Sequence, residues 1–160
     1  MGGKSSSTLI QQKGSGFGRW YGHVAIVPFL KSPGFCTIRT TSSSHNQFPD
    51  VTGTTKLKMM ARLNATSELD HFNLQIQTKG GVSHGMHGTY SGNITVPKTG
   101  KWVQVEAEWS DFIFQWRGEH VKGPTLSTQL DQLTQIGVST YFPGKVGKFD
   151  IEIKEFSAGN

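Results

Sequence analysis

Two glutamates have the residue type and spacing that could perform catalysis. Glu106 and Glu108 stand two positions apart in a strand-like segment, so both carboxylates would lie on one face. Paired carboxylates act as acid and base in glycoside hydrolases when they face each other across about 5–9 Å. The sequence offers no convincing partner carboxylate across such a cleft, which favours a solvated strand face.

Two histidines and the single cysteine are the other chemical candidates. His84 and His87 have a metal-like spacing, but they lie in a glycine-rich segment without a neighbouring carboxylate or thiol. This segment is better interpreted as a mobile loop. Cys36 lies in an apolar run with neither a helix N-terminus nor a histidine fixed beside it, which is typical of a small packed residue. We therefore predict no catalytic residue, no metal site and no cofactor.

Glycine motifs near the N-terminus resemble phosphate-binding loops. Gly3-Lys4-Ser5 is similar to the end of a P-loop, and residues 14–18 are similar to a dinucleotide-binding turn. Neither segment has the preceding strand and the following helix that these sites require, so both predict turns. Gly2 and Ser6 also fit the pattern for N-myristoylation, which depends on whether Met1 is the native start.

Composition favours one β-rich domain. The chain has 160 residues, with 20 Gly, 10 Phe, 4 Trp and 3 Tyr. The net charge is +5, but the 16 Lys and Arg are scattered, so nucleic acid is not an expected partner. A single cysteine excludes an internal disulfide and favours a reducing compartment. No apolar run reaches the roughly 20 residues that span a bilayer, so any membrane contact is expected to be peripheral.

Several segments alternate between apolar and polar residues, the pattern of strands with one buried face. It is clearest in residues 56–63 and 71–77, and it recurs at 102–109, 112–116 and 149–153. Further strands are predicted within residues 20–27 and 34–40, and residues 126–133 predict at most two helical turns. Turns are predicted at residues 32–34, 42–44, 80–81, 97–100, 123–124 and 143–144. Their spacing predicts an all-β sandwich.

One candidate binding surface is a row of amides and carboxylates. If strands 71–77 and 102–109 are neighbours in one sheet, their outward side chains form a continuous polar row, as in many sugar-binding sandwiches. Trp102 on that face could stack on a sugar or fill a protein hot spot, although an aromatic residue at a strand start usually packs against a loop. A merely solvated face is the simpler alternative. The row comprises Asn73, Gln75, Gln77, Gln104, Glu106 and Glu108.

A second candidate surface is basic. Lys56, Lys58 and Arg62 would point outward from strand 56–63, which suits an acidic protein surface or an anionic lipid. Arg117 adds positive charge near the expected rim of the sandwich.

Motifs spread over nearly the whole chain form a recognisable set. The opening Met1-Gly2-Gly3-Lys4-Ser5 is similar to a pattern M-G-G-x-S, and residues 34–40 are similar to a strand G-G-F-A-S-x-R in which Pro33 replaces the first glycine. Residues 102–105 match W-x-x-V, and residues 133–138 and 147–156 are similar to a closing pair of strands. Together they resemble the complex I intermediate-associated protein 30 family.

This resemblance implies a galactose-binding-like jelly roll of two antiparallel sheets over residues 1–160, without the short strand that usually precedes the M-G-G turn. It also implies a non-enzymatic assembly or stabilising scaffold that docks on subunits of respiratory complex I or of a plastid photosynthetic complex. The expected location is organellar, in a mitochondrion or plastid, and peripheral to a membrane. The alternatives are a carbohydrate-binding module of the same fold and a remnant hydrolase using Glu106 and Glu108.

Overall fold

The computed structural model describes residues 3–11, 13–41, 48–140 and 145–160, most of them in short strands. The strands are β1 (Ser6–Gln11), β2 (Gly18–Val24), β3 (Ile26–Val27), β4 (Ser32–Pro33), β5 (Thr37–Arg39), β6 (Lys56–Leu63), β7 (His71–Thr78), β8 (Val82–Ser83), β9 (Met86–His87), β10 (Thr89–Thr95), β11 (Val103–Glu108), β12 (Ile113–Trp116), β13 (Glu119–His120), β14 (Leu133–Ser139) and β15 (Gly147–Gly159). Two 3₁₀ turns lie at Trp109–Asp111 and Leu126–Thr128. None of the helices in these ranges is long and apolar enough to cross a membrane.

Two antiparallel sheets form a sandwich. The five-stranded sheet has the order β1-β2-β15-β6-β11, and the six-stranded sheet has the order β13-β12-β10-β7-β14-β5. Most neighbouring strands are distant in sequence because the chain crosses repeatedly from one sheet to the other, as in a jelly roll. Two short ribbons, β3-β4 and β8-β9, pair with neither sheet. The prediction of an all-β jelly-roll sandwich is confirmed.

Alternation along the strands explains why each sheet has one apolar face. In β6, every second residue is buried and the intervening ones are half-exposed. Because side chains of a strand point alternately to opposite faces, this pattern turns Leu57, Met59, Ala61 and Leu63 toward the second sheet. The same arrangement in β7 buries Phe72, Leu74 and Ile76 from the other side.

Three aromatic rings meet between the sheets. Trp20 of β2 and Phe149 of β15 are neighbours in the five-stranded sheet, with ring centroids 4.6 Å apart. Phe72 of β7 contacts both from the opposite sheet, at 6.4 Å and 6.5 Å. All three side chains are fully enclosed. Such tilted and edge-to-face pairs contribute about 0.5–1.5 kcal/mol each beyond the burial of their area.

Two predicted loops differ from the structure. Ser32-Pro33, expected in a turn, forms β4 and pairs with Ile26-Val27, so the turn falls at residues 28–31. Residues 84–87, expected in a mobile loop, belong to a tight hairpin in which His84 and Gly85 adopt φ values of 49° and 76°. Two consecutive positive φ angles define the type I′ turn that best matches strand twist.

The helical signal after residue 125 gives the single 3₁₀ turn Leu126–Thr128, as expected. The turns predicted at 42–44 and 143–144, together with Met1 and Gly2, lie outside the described residues.

Phe149→Ala is expected to lower the free energy of unfolding by about 3–5 kcal/mol, because it opens a cavity between the sheets. Phe29→Ala is the matched control, since that ring is 65% exposed and its loss is expected to change stability by less than about 0.5 kcal/mol. Urea denaturation followed by tryptophan fluorescence measures both. Equal losses in the two variants would contradict this description of the core.

Candidate functional site

The outer face of the five-stranded sheet is covered by ion pairs. Arg19 of β2 donates two hydrogen bonds to Asp150 of β15, from Nε to Oδ1 at 2.9 Å and from Nη2 to Oδ2 at 2.6 Å. Glu152, two residues further along β15, accepts a hydrogen bond of 2.6 Å from Nε of Arg62 on β6. Glu152 lies opposite Arg19 on one side and Arg62 on the other. These four side chains form a line across three strands that we call the charge ladder.

The carboxylate of Asp150 is a structural anion. Burial by itself raises its pKa, but hydrogen bonds from Arg19, Asn64 and Thr66 outweigh this effect and hold the pKa of Asp150 below its ordinary value. The Asn64 amide donates at 2.8 Å and the Thr66 hydroxyl at 3.3 Å. The hydrogen bond between Arg19 and Asp150 also raises the pKa of the Arg19 guanidinium. Asp150 therefore remains ionised and ties β2, β15 and the segment after β6 together.

Trp102 packs against a loop. Its ring meets Phe17 edge to face with centroids 5.4 Å apart, and the guanidinium carbon of Arg62 lies 4.8 Å from its centroid. Phe17 belongs to the turn between β1 and β2. Arg62 is thus held between Glu152 and two aromatic rings, an arrangement in which cation–π attraction adds to the ion pair.

The predicted basic row exists, but its charges are paired within the chain. Nζ of Lys56 lies 2.7 Å from Oε2 of Glu106, and Nζ of Lys58 donates to the carbonyl oxygen of Asn160 at 2.8 Å. The hydrogen bond from Lys56 lowers the pKa of Glu106 below its ordinary value. Glu106 and Glu108 lie on one face of the single strand β11, so they do not face each other across a cleft as a glycosidase pair requires.

The predicted continuous row of amides and carboxylates does not form. Asn73, Gln75 and Gln77 lie on β7 of the six-stranded sheet, whereas Gln104, Glu106 and Glu108 lie on β11 of the five-stranded sheet. The two sets point away from each other on opposite sides of the sandwich. The chain crosses to the other sheet between β10 and β11, and no local pattern in the sequence signals that crossing.

The six-stranded sheet instead builds a polar face from four of its own strands. Gln115 of β12 is paired with Thr89 of β10, and Gln135 of β14 is paired with Gln77 of β7. The Nε2 group of Gln77 donates to the Thr89 hydroxyl at 3.2 Å, which joins the two pairs into one line. We call the line Gln115, Thr89, Gln77 and Gln135 the glutamine row.

Much of the hydrogen-bonding capacity of the glutamine row remains available. Gln77 donates to Thr89, and Gln135 donates to the Thr40 carbonyl at 2.9 Å. Within the described ranges, neither Oε1 atom accepts a hydrogen bond, and the Gln115 amide makes none. A recess of about 370 Å³ opens beside Gln77 and is lined by Thr78, Lys79, His87, Gly88 and Thr134 as well.

Two residues before Gln77 on β7, the neighbouring line of outward positions is occupied partly by small residues. Ser91 of β10 and Gly137 of β14 flank Gln75 of β7, and both are buried although they lie on the outer side of the sheet. The Gln75 Oε1 atom is enclosed and has no hydrogen-bond partner in the part of the chain that the structure describes. In this line, Gln75 therefore stands between two small residues, with Ile113 beyond Ser91 and Arg39 beyond Gly137.

Arg117 and the histidine pair are not members of the glutamine row, although His87 lines the recess beside Gln77. Arg117 lies in the tight turn between β12 and β13 with φ of 54°, and its guanidinium carbon stands 4.4 Å from the Trp116 ring centroid. That position is at the rim of the six-stranded sheet, as expected. His84 and His87 lie at the β8-β9 hairpin, and no group of three or more potential metal ligands occurs in the described ranges.

Sequence reasoning missed an exposed apolar tip at residues 28–31. Phe29 and Leu30 there are among the most exposed large apolar side chains of the described chain. A signal was present, because residues 24–30 are nearly all apolar and lack the alternation that places every second residue in a core.

Two solved structures of similar fold are Family 11 carbohydrate-binding modules. The Family 11 Carbohydrate-Binding Module of cellulosomal cellulase Lic26A-Cel5E of Clostridium thermocellum has a TM-score of 0.50 and 16% identity, covering 96% of this chain and 82% of the module. The Family 11 module from Clostridium thermocellum in complex with a β-1,3-1,4-mixed-linked tetrasaccharide has a TM-score of 0.51 and 15% identity, covering 96% and 84%. At this identity the likeness shows the fold alone.

Sequence comparison supplies the family. The pattern described as Complex I intermediate-associated protein 30 (CIA30) matches residues 1–153, and the chain belongs to that family. The resemblance seen in the motifs is therefore confirmed. No curated protein sequence matches this chain significantly.

Asp150→Asn is expected to destabilise the fold by roughly 1–3 kcal/mol at neutral pH, because it removes the charge that Arg19 and two further donors bind. The pKa of Asp150 is lowered on folding, so its contribution is complete above about pH 4 and is lost as the pH falls through the folded-state pKa. The stabilities of the wild type and the variant should converge in acid.

Denaturation curves between neutral and acidic pH measure this convergence. Glu106→Gln is the matched control, since Glu106 is also paired but lies on an exposed edge strand, and its stability should follow the wild type. A constant offset between wild type and Asp150→Asn at every pH would contradict the assignment.

Proposed function

We propose that this protein is a non-enzymatic scaffold that assists the assembly or stability of a large membrane redox complex, and that it docks through the outer face of the six-stranded sheet. The observation that carries the proposal is membership of the CIA30 family over residues 1–153. The family description names an association with complex I intermediates. Respiratory complex I is the first candidate partner, and a plastid photosynthetic complex is the second. Both place the protein in an organelle, peripheral to a membrane.

The contrast between the two outer faces supports the choice of docking surface. On the five-stranded sheet, the charge ladder and the Lys56–Glu106 pair already satisfy one another. On the six-stranded sheet, the glutamine row has acceptors and donors without partners in the described chain. Protein interfaces use such groups in about one hydrogen bond per 100–200 Å² of contact. A stable partner is expected to cover more than about 1,000 Å² in total.

The candidate catalytic residues are not assembled into a catalytic group in the residues that the structure describes, which supports a non-enzymatic role. Glu106 and Glu108 stand on edge strand β11, and Lys56 keeps the Glu106 carboxylate ionised. Cys36 is buried, and burial raises the pKa of its thiol, which opposes formation of the nucleophilic thiolate. These features suit a protein that acts by binding.

Carbohydrate binding is the second candidate, favoured by the amide and hydroxyl groups of the glutamine row. Glutamine amides and threonine hydroxyls both suit the hydroxyl groups of a sugar. Sugar-binding faces also stack aromatic rings on the sugar. The outward positions of β7, β10 and β14, all described, contain no Phe, Trp or Tyr. The scaffold function is therefore preferred.

Gln77→Arg is expected to abolish partner recovery, because it places a long cation in the middle of the glutamine row. Gln104→Arg is the matched control, since it makes the same change on the outer face of the five-stranded sheet. Tagged proteins are purified from gently solubilised native membranes, and the co-purifying proteins are identified by mass spectrometry. Wild type and Gln104→Arg should recover subunits of one redox complex, and Gln77→Arg should lose them.

Two results would overturn this proposal. Wild-type protein recovered alone would argue against a scaffold, and equal recovery with Gln77→Arg would move the docking surface elsewhere. Calorimetric titration with a β-1,3-1,4-mixed-linked tetrasaccharide tests the second candidate. Saturable binding that Gln77→Arg removes, together with no recovered complex, would establish the carbohydrate function instead.

A further inference from the structure

An apolar hairpin tip stands apart from both sheets. The ribbon of β3 and β4 pairs only with itself. Its connection, residues 28–31, presents Phe29 and Leu30 with 65% and 58% of their surfaces exposed, and Ile26 at the ribbon is exposed as well. Single exposed apolar residues are ordinary on a protein surface, but two large ones at the tip of one hairpin mark an interaction site.

The tip is held in one conformation. Pro28 fixes φ at the first position of the turn. The N–H groups of Leu30 and Lys31 both donate to the Val27 carbonyl, at 3.1 Å and 2.9 Å. Lys31 closes the turn with φ of 51°, in the left-handed region. The two apolar side chains are therefore displayed by a shaped loop, which reduces the entropy lost when they are buried.

The base of the hairpin is fastened to the sandwich. The N–H group of Gly34 donates to the Ala25 carbonyl at 2.9 Å, and the N–H group of Ala25 donates to the Ser5 hydroxyl at 3.0 Å. A Cβ atom on Gly34 would lie 2.6 Å from that hydroxyl, so the close approach requires glycine. Ser5 thus serves as a structural anchor in the segment that resembled a P-loop.

Several lysines lie at the end of the sandwich from which the hairpin extends. Val24, which precedes it, is paired with Gly147 at the start of β15, so residues 145–148 lie at the same end of the sandwich. Lys145 and Lys98 meet Asp70 there at 3.7 Å and 4.0 Å. The lysine-rich end, as we call it, contains Lys4, Lys31, Lys98, Lys145 and Lys148 against the carboxylates Glu68 and Asp70.

We propose that the lysine-rich end binds an anionic lipid bilayer, inserting Phe29 and Leu30 among the acyl chains while Lys4, Lys31 and Lys148 contact the headgroup phosphates. An apolar centre with cations around it matches the depth profile of a membrane interface. The tip protrudes and offers two side chains, so it suits a soft apolar layer. This site is distinct from the glutamine row and does not depend on the proposed scaffold function.

Co-sedimentation with vesicles tests the proposal. Wild-type protein should bind phosphatidylcholine vesicles in which roughly a third of the lipid is phosphatidylglycerol, and it should bind pure phosphatidylcholine far more weakly. The double variant Phe29→Ala/Leu30→Ala should lose about tenfold or more in partitioning, because the inserted apolar area is removed. Leu9→Ala/Ile10→Ala is the matched control, with two exposed apolar residues on β1, and should bind like wild type.

The contribution of charge is measured separately. Lys31→Asn keeps a residue type that tolerates positive φ and should weaken binding about fivefold, as should Lys148→Gln. Binding should also fall as salt is added.

Insertion of the tip is measured by fluorescence. In Phe29→Trp, the fluorescence of the added tryptophan should shift to shorter wavelength on anionic vesicles and be quenched by lipids brominated in the acyl chain.

Four outcomes would overturn the proposal. Three of them are equal binding to neutral and anionic vesicles, equal losses in the two double variants, and a Phe29→Trp signal that brominated lipid does not quench. A fourth is unchanged vesicle binding by Phe29→Ala/Leu30→Ala with loss of a protein from the affinity purification, which would make the tip a protein contact. Loss of complex recovery in Gln77→Arg leaves the vesicle results unaffected, so the two proposals fail independently.

Discussion

The contact of Phe149 with Trp20 beside it and Phe72 opposite it is the interaction on which the rest of the structure depends. It joins the two sheets at their centres and sets which side of each strand faces inward. Because β15 alternates, placing Phe149 and Ile151 in the core places Asp150 and Glu152 on the outer face. The charge ladder is therefore a consequence of the same strand that completes the core. A shift of β15 by one residue would bury two carboxylates between the sheets.

The two outer faces of the sandwich consequently differ in what they can bind. Carboxylates on β15 lie between arginines of the two neighbouring strands, so the five-stranded sheet satisfies its charges within the chain. The six-stranded sheet has amides and hydroxyls at corresponding positions, and its strand β7 contains no Asp, Glu, Lys or Arg. Gln77 and Gln135 each donate one hydrogen bond, to the Thr89 hydroxyl and the Thr40 carbonyl, and their Oε1 atoms accept none within the described residues. This difference is the reason that the six-stranded face is proposed as the docking surface.

The two proposed binding surfaces lie outside the core of the sandwich. The glutamine row crosses one sheet near the end of β7 and the starts of β10 and β14, whereas the lysine-rich end is formed by loops where β2 ends and β15 begins. A protein with both could contact a membrane complex and the surrounding lipid at the same time. A rigid sandwich suits this arrangement because its core holds the two surfaces in a constant relation.

The amino-acid sequence by itself determined the strands and their inner faces. Residues 56–63 and 71–77 were predicted as strands with the observed buried sides, because alternation is a local property that burial on either sheet preserves. Motifs spread along the chain also identified the family. The turn at Ser32-Pro33 was predicted wrongly because proline is equally compatible with a turn and with the short edge strand that it forms here.

Which strands become neighbours was decided only by the tertiary structure. Gln77 and Gln104 have similar local patterns, yet one lies beside Gln135 and the other lies on the opposite side of the protein. Pairing of Lys56 with Glu106 and of Arg62 with Glu152 likewise joins residues 50 and 90 positions apart. Strand pairing depends on where the chain crosses between the sheets. Those crossings are set by burial of apolar side chains from both sheets in one core. The binding faces, which are assembled from side chains of distant strands, follow from that choice.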